Sequence, residues 1–329
     1  MCLGRKKTSI SWRIGVSETA TVTTQDSGFA VRISDTLWRK PKLLLVLLLA
    51  PPVLWLGVVY LGSLFALLAQ SFFSIDEYSG LIKYELTLKT YRELLIPANL
   101  DILVRTTTMA IVVTLAAAIV AFPIAYYAAR YARGKWKAVF YLGVMLPLWS
   151  SYLVKIYAWK LILAKEGILN WLFDTLHLSW ALEAFLSIPL IGGNSLSVSY
   201  TGTFLVFLYV WLPFMMLPMQ AALERVPASY LEASADLGAT PAQTFRNVLF
   251  PLALPGIVAG SIFTFSLTLG DYIIPQIIGS SRLFIGQAVY AHQGTAGNIP
   301  LAAAFTVVPV IVMAFYLWMA KRQGAFDAL

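Results

Sequence analysis

The sequence has few charged residues and a single cysteine, and both shortages narrow its possible functions. Asp, Glu, Lys and Arg make up 12% of the 329 residues, whereas about 25% is usual in soluble globular domains. Such a low charge content does not cover a water-facing surface of this size, and apolar residues reach 59%. Cys2 is the only cysteine, which excludes an internal disulfide and a cysteine metal cluster. The composition therefore indicates an integral membrane protein.

Patterns typical of enzymes and of nucleotide-binding proteins are also missing. The sequence has no glycine-rich phosphate loop followed by lysine and no serine, histidine and carboxylate arrangement. We interpret His177 and His292 as surface residues, because neither has a carboxylate nearby at metal-ligand spacing. The sequence has 24 Lys and Arg residues and 16 Asp and Glu residues. The basic residues lie between apolar runs and not on one aromatic-rich face, which argues against a nucleic-acid-binding protein. We therefore predict no catalytic residue, metal site, bound cofactor or nucleic-acid partner for this chain.

Six stretches are long and apolar enough to cross a bilayer, which takes about 20 residues per helix. We predict an all-α integral membrane protein whose six transmembrane helices lie at about residues 43–73, 106–129, 138–160, 201–223, 252–275 and 300–320. The third stretch departs most from an uncharged run, because Lys155 and Lys160 lie at its outer end. Proline residues such as Pro123 and Pro147 fall inside these stretches, as packed membrane helices tolerate.

Basic residues predict which side of the membrane each loop occupies, since short loops rich in Lys and Arg stay in the cytosol. The first 42 residues are basic, and they contain no short apolar core of a removable signal peptide. Basic residues also fill the turn after the second stretch, at Arg130, Arg133, Lys135 and Lys137. We predict a cytosolic tail at 1–42, a transmembrane domain at 43–323 and a cytosolic C-terminus at 324–329.

The predicted cytosolic loop at 224–251 is more polar than a simple connection requires. Pro227 suits a first helical turn, and apolar or small residues recur at three- and four-residue steps after it. Gly238 then supplies the left-handed conformation that ends a helix. The first half of the loop is therefore predicted to be a short helix with a glycine hinge.

The second half of the loop contains a helix start. Thr240 is a cap, Pro241 takes the first helical position, and Gln243 lies three residues after the cap as in a capping box. Phe245 contributes to an apolar stripe, and Pro251 is expected to end this second helix. The spacing alone is equally consistent with a hairpin that only connects two membrane spans.

The loop resembles the EAA motif of binding-protein-dependent importer permeases, which reads Glu-Ala-Ala, three residues, Gly, nine residues, then Ile-x-Leu-Pro. The matching positions are Glu232, Ala233, Gly238 and Pro251. The mild departures are Ser234, Val248 and Phe250. The resemblance implies a permease subunit in a bacterial inner membrane, with both termini cytosolic.

In that family the loop is a coupling helix between spans 4 and 5 that docks on a cytosolic ATPase subunit. The resemblance implies that ATP and Mg are bound by this ATPase, and that the other partners are a second, paralogous permease subunit, a periplasmic solute-binding protein and membrane lipid. The residues implied to couple the loop to the ATPase are Glu232, Ala233, Ser234, Gly238, Thr240, Pro241, Phe245 and Pro251. Alternatively, Glu232 is a solvent-exposed charge on the helix without a role in coupling.

Stretches such as AFPIAYYAARYARG and SLTLGDYIIPQIIGSS are similar to the permeases of spermidine and putrescine importers. The resemblance implies that the transported solute is a polyamine. Importers of other small organic solutes and of iron contain similar stretches of sequence, so these solutes stay alternatives. A transporter driven by an ion gradient and a membrane enzyme are more distant alternatives.

A polycation favours carboxylates and aromatic faces, so the candidate path residues are Asp271, Tyr272, Trp149, Tyr157 and Trp159. The aromatic residues could instead belong to the belt of Trp and Tyr at the membrane interface. Asp271 could instead cap a helix or contact the binding protein.

Overall fold

The computed structural model describes residues 38, 40–76, 78–189 and 191–322. The predicted C-terminus at 324–329 and nearly all of the predicted tail at 1–42 lie outside the described residues. The chain divides into one unit that ends at Ser63 and a second that begins at Leu64.

Residues 41–63 of the first unit are all helical. Helix α1 covers Pro41–Leu54 and continues as a π-helical segment at Trp55–Leu61. Pro51 and Pro52 lie inside α1 and lack the amide hydrogens of a regular helix, and the wider π segment follows them directly. The helix then runs on as α2, so that Leu44–Gln70 is long and apolar enough to cross a membrane. This range agrees closely with the first predicted span.

The remaining elements are short helices and one minimal hairpin around four membrane-length helices. In chain order they are α2 (Gly62–Gln70), β1 (Ser74–Ile75), β2 (Ile82–Lys83), α3 (Lys89–Leu94), α4 (Pro97–Arg130), α5 (Gly134–Trp149), α6 (Tyr152–Ile162), α7 (Ile168–Thr175), α8 (Ser179–Leu186), a 3₁₀ turn (Leu196–Val198), α9 (Tyr200–Arg225), α10 (Ala228–Asp236), α11 (Pro241–Thr244), a π turn (Phe245–Leu249), α12 (Phe250–Gly270), α13 (Ile273–Ile277), α14 (Ile285–Tyr290), a π turn (Ala291–Thr295) and α15 (Ile299–Arg322). Strands β1 and β2 pair antiparallel.

Helices α4, α9 and α12 form the centre of the second unit. The inward face of α4 carries small side chains, among them Ala117, Ala121 and Ala125, all fully buried. They pack against methionines of α9 and against the start of α12. Small residues at such contacts let helix backbones approach closely, which is a common basis of helix association in lipid.

The close approach of α9 and α12 depends on two glycines. A Cβ atom at Gly256 would collide with Ala222 and lie 2.7 Å from the carbonyl oxygen of Pro218. At Gly260 it would lie 2.6 Å from the carbonyl oxygen of Met215. Both positions therefore exclude any larger residue unless the helices separate.

The third predicted span, 138–160, is not one continuous helix. Helices α5 and α6 meet at a bend of 95°, with Ser150 and Ser151 in extended conformations between them. Pro147 restricts the last turn of α5, and its carbonyl oxygen accepts hydrogen bonds from Ser150 Oγ at 2.9 Å and from Lys155 Nζ at 2.7 Å. The chain therefore contains five membrane-length helices in its described part, or six if the bent pair forms one span.

Pro251 does not end the second helix of the loop, contrary to the prediction from the sequence. Instead the helix continues from Pro241 to Gly270, with Pro251 in the first turn of α12. A π turn at Phe245–Leu249 directly precedes it. Because a π turn is wider than an α turn, it makes room for the proline ring that would otherwise clash with the preceding turn. The fifth span ends at Gly270, five residues before the predicted end at 275.

Candidate functional site

The loop after α9 contains the predicted helix, hinge and second helix start. Helix α10 ends at Asp236, and Gly238 has φ +78°, the left-handed conformation that was predicted from its position. The side chain of Thr240 accepts a hydrogen bond from the Gln243 backbone, and the Gln243 side chain accepts one from the Thr240 backbone. The predicted capping box is therefore confirmed, with Pro241 in the first turn of α11.

One face of the loop packs on the membrane helices. Ser234 is buried, and its hydroxyl lies 2.9 Å from that of Thr244, which joins α10 to α11. Phe245 contacts Phe122 of α4 edge to face, with ring centroids 5.4 Å apart. Leu231 packs on the same apolar cluster. Two of the residues predicted to couple, Ser234 and Phe245, thus hold the loop to the rest of the fold.

Apart from Leu231 and Ser234, the residues of α10 are exposed. Tyr230, Ala233 and Leu237 follow one another at helical spacing and are all exposed, Leu237 to 88%. Glu232 is exposed beside them. An apolar stripe this exposed at the end of a short helix is a typical protein contact surface. We call these four residues the α10 face.

Polar contacts connect the ends of this loop to two other membrane helices. Arg130, the last residue of α4, donates a hydrogen bond to the carbonyl oxygen of Val226 at 2.8 Å. Glu224 in the last turn of α9 pairs with Lys137 at 2.9 Å and accepts a hydrogen bond from Tyr141 at 2.8 Å, both residues of α5. These contacts attach the ends of the loop to α4 and α5 in addition to its chain neighbours α9 and α12.

Two open cavities flank α10. One, of about 460 Å³, lies between it and the paired helices α9 and α12, with Arg225 and Tyr230 in its lining. The other, of about 500 Å³, lies towards α4 and includes Pro123 and Pro241. Open space therefore lies on two sides of α10, although Ser234 and Leu231 hold the helix to the rest of the fold.

Asp271 directly follows α12 and forms a second polar site. Its Oδ1 atom accepts hydrogen bonds from the backbone N–H groups of Ile273 at 2.8 Å and Ile274 at 3.3 Å, so that it caps α13. Its Oδ2 atom accepts a hydrogen bond from Tyr152, the first residue of α6. The ring of Tyr152 stacks on Trp211 of α9 at 5.8 Å between centroids. Among the described residues no Lys or Arg lies within ion-pair distance of this carboxylate.

The other predicted path residues are not gathered around Asp271. Trp149 is 84% exposed, Tyr157 is exposed, and Trp159 contacts Tyr209 at 5.2 Å between ring centroids. Tyr272 stacks on Tyr290 at 5.3 Å. Tyr152 and Trp211 are the aromatic neighbours that the candidate set omitted. The sequence does not indicate the hydrogen bond from Tyr152 to Asp271 or the stacking of Tyr152 on Trp211, because both depend on the bend between α5 and α6.

The interpretation of both histidines as surface residues holds for one of them. His177 is exposed, with φ 56°, whereas His292 is partly buried and stacks on Phe305 at 5.7 Å. Burial lowers the pKa of His292 below its usual value, because the charged form loses hydration. Within the described ranges no cluster of three or more metal-ligating side chains occurs.

Comparison with known proteins identifies similar chains. The model of the family described as binding-protein-dependent transport system inner membrane component matches residues 121–324. The chain is 59% identical, over 91% of its length and 95% of the relative's, to the inner membrane ABC transporter permease protein YdcU of Escherichia coli (strain K12). It is 29% identical, over 82% of its length and 94% of the relative's, to the spermidine/putrescine transport system permease protein PotB of the same organism.

Solved structures share the fold at low identity. A chain of a bacterial ABC transporter involved in the import of the acidic polysaccharide alginate matches with a TM-score of 0.64 and 15% identity, over 88% of this chain and 99% of that one. A chain of the MetNI methionine ABC transporter in an inward-facing conformation matches with a TM-score of 0.51 and 19% identity, over 70% of this chain and 96% of that one.

Proposed function

Since this chain belongs to the binding-protein-dependent transport system inner membrane components, we propose that it imports a small polycation of the polyamine type as the permease subunit of an ABC importer. A multi-pass inner-membrane permease of this class conducts the solute, while a separate subunit binds Mg and ATP and hydrolyses the nucleotide. In this proposal a periplasmic solute-binding protein delivers the solute, and the second permease subunit is a paralogue. Both termini and the loop at 224–251 lie in the cytosol.

The observation that carries the coupling role is the α10 face. It presents Tyr230, Ala233 and Leu237 to solvent, while the contacts of Ser234 with Thr244 and of Phe245 with Phe122 anchor the loop. Burying an exposed apolar stripe contributes about 25 cal/mol per Å², so this face gains stability only when a partner covers it. The ATPase subunit is that partner in our proposal, with Glu232 at the edge of the contact.

The internal contacts of the loop support transmission of movement. The bonds from Arg130 to Val226 and from Lys137 to Glu224 join the loop ends to α4 and α5, and α11 is continuous with α12. Rigid-body displacement of a docked element moves all helices attached to it. Gly238 and Pro241 set the angle between α10 and this continuous helix.

The polyamine assignment rests on Asp271 and its aromatic neighbours. A carboxylate at the end of a membrane helix without a cationic partner is costly unless it serves a function. The ring of Tyr152, whose hydroxyl bonds to Asp271, stacks on Trp211, so that an aromatic pair of the kind that binds cations lies at this carboxylate. The likeness to PotB, although distant, is in keeping with this chemistry. Asp271 also caps α13, so its structural role and solute binding coexist in the proposal.

Uptake by the reconstituted complex tests both parts of the proposal. Proteoliposomes that contain the permease pair and the ATPase, with binding protein outside and ATP inside, are assayed with labelled spermidine and putrescine. Accumulation that requires ATP and the binding protein is expected. Accumulation of an iron chelate or another organic solute in place of polyamines contradicts the substrate class, and accumulation without the ATPase contradicts the transport mechanism.

A further inference from the structure

A charged pocket lies at one end of α4, away from the loop that follows α9. It has a volume of about 340 Å³, and its lining includes Asp101, Arg105 and Arg282. Arg105 directly precedes the uncharged stretch that begins at Thr106. The pocket therefore lies at the boundary between hydrocarbon and phospholipid headgroups, where long basic side chains extend towards phosphate.

The pocket has one more cationic than anionic side chain. The side chain of Arg105 is only 9% exposed and donates a hydrogen bond to the carbonyl oxygen of Leu283 at 3.1 Å. It also forms an ion pair with Asp101. Arg282 is exposed, and no carboxylate in the described part of the chain pairs with it. One guanidinium is thus fixed in place, and a second is free to contact an anion.

From the pocket onward the same face of α4 is apolar and uncovered, beginning with Val104 in the pocket lining. Val104, Ile111, Leu115 and Ile119 follow at helical spacing and are exposed to 63%, 46%, 59% and 73%. A phosphate near Arg282 would place its attached acyl chains along this stripe. The combination of a cationic pocket at headgroup level and an apolar stripe below it matches the two parts of a phospholipid.

We propose that this pocket binds the headgroup of an anionic phospholipid, such as phosphatidylglycerol, with one acyl chain along the apolar stripe of α4. The net positive charge favours an anionic over a zwitterionic headgroup. The stripe favours a lipid over a carboxylate of a docked soluble protein, because such a protein does not reach hydrocarbon depth. This inference rests on membrane insertion alone and is independent of the transported solute.

Native mass spectrometry of the purified complex, equilibrated with equal amounts of phosphatidylglycerol and phosphatidylethanolamine, tests the proposal. The native complex is expected to retain phosphatidylglycerol preferentially. Arg282→Gln is expected to lower that preference about fivefold, as one basic residue near an anionic surface contributes. Arg92→Gln is the matched control, because Arg92 is an exposed arginine of α3 outside the pocket and its replacement is expected to leave the preference unchanged.

Two results would overturn the proposal. Unchanged phosphatidylglycerol preference in Arg282→Gln, or an equal loss in Arg92→Gln, would mean that the pocket has no specific role in lipid binding. Full cross-linking of a Val104→Cys variant to the second permease subunit would mean that protein covers the stripe. Because Cys2 is the only native cysteine of this chain, the Cys2→Ser background leaves position 104 as its one reactive thiol. Labelling of the same cysteine by a thiol-reactive lipid supports the proposal.

Discussion

Replacing Gly238 with valine isolates the backbone conformation of the hinge. Gly238 has φ +78°, and a Cβ atom added there meets nothing within 4 Å. The substitution therefore introduces no collision, and its only direct effect is on backbone energy. A residue with a side chain in the left-handed region costs about 1–2 kcal/mol, with β-branched residues at the upper end.

The chain can relieve this strain in one direction only. The capping box at Thr240 and the continuity of α11 with α12 fix the segment after the hinge, so α10 must rotate instead. Rotation turns Leu237 and the rest of the α10 face away from the docking orientation. Restoring that orientation costs the same 1–2 kcal/mol, which predicts an affinity for the ATPase subunit that is about 5- to 30-fold lower.

Two control variants separate the hinge from general effects. Gly238→Asn keeps the left-handed conformation more easily, so its affinity is expected to fall less than about threefold. Gly80→Val introduces the same strain at φ +67°, also in open space, in the hairpin between β1 and β2. Its effect on ATPase binding is expected to be nil.

The assay is titration of the labelled ATPase subunit onto permease complexes in nanodiscs, with membrane insertion checked by the yield of folded permease. A valine variant that binds the ATPase as tightly as the asparagine variant would refute the reasoning from hinge geometry. Equal losses in Gly238→Val and Gly80→Val would refute it as well, because they would trace the effect to overall destabilisation.

Three further predictions concern contacts elsewhere in the fold. Glu224→Lys is expected to lower the free energy of unfolding by denaturant by about 1 kcal/mol, because it replaces a partly exposed ion pair with Lys137 by repulsion. Adding Lys137→Glu in the same chain should restore most of that free energy. Asp271→Asn preserves an oxygen to cap α13 but removes the charge, so ATP-dependent polyamine uptake should fall about tenfold or more while thermal stability changes little. Gly256→Val should lower stability by about 1–3 kcal/mol by forcing α9 and α12 apart, measured as loss of folded protein on heating.

Each of these predictions has an outcome that contradicts it. No recovery in the Glu224→Lys, Lys137→Glu double variant would mean that the two residues do not act as a pair. Normal uptake by Asp271→Asn would assign Asp271 to capping alone. Gly143→Ala is the control for Gly256→Val, because a Cβ at Gly143 meets nothing within 4 Å; equal destabilisation by both would argue against the close helix contact.

Local sequence patterns predicted much of the loop after α9. Pro241 and the capping box, the left-handed Gly238 and the helical spacing in α10 are all properties of residues within a few positions of one another. The conformational energies of these local features depend little on the rest of the chain, and the structure shows each feature at the predicted residues. The membrane-length helices were likewise predictable, because hydrocarbon thickness fixes the length of an apolar run.

Long-range geometry was not predictable in this way. The bend at Ser150 and Ser151 lies within an uncharged stretch, and hydropathy does not distinguish a straight helix from a bent one. The contact of Tyr152 with Asp271 joins residues 119 positions apart and exists only because of that bend. The continuation through Pro251 was missed for a related reason, since a π turn has no hydropathy pattern of its own.

The continuous helix from Pro241 to Gly270 connects the two sites. Its 30 residues give a rod of about 45 Å at 1.5 Å per residue, longer than the hydrocarbon core of about 30 Å. One end begins at the capping box beside the α10 face, and the other ends at Asp271. Had Pro251 ended the helix, a movement of the loop would have been absorbed at a flexible joint. Because the π turn keeps the helix intact, we propose that a displacement of the loop by the ATPase is carried along this helix to the contact between Asp271 and Tyr152, beside the bend between α5 and α6.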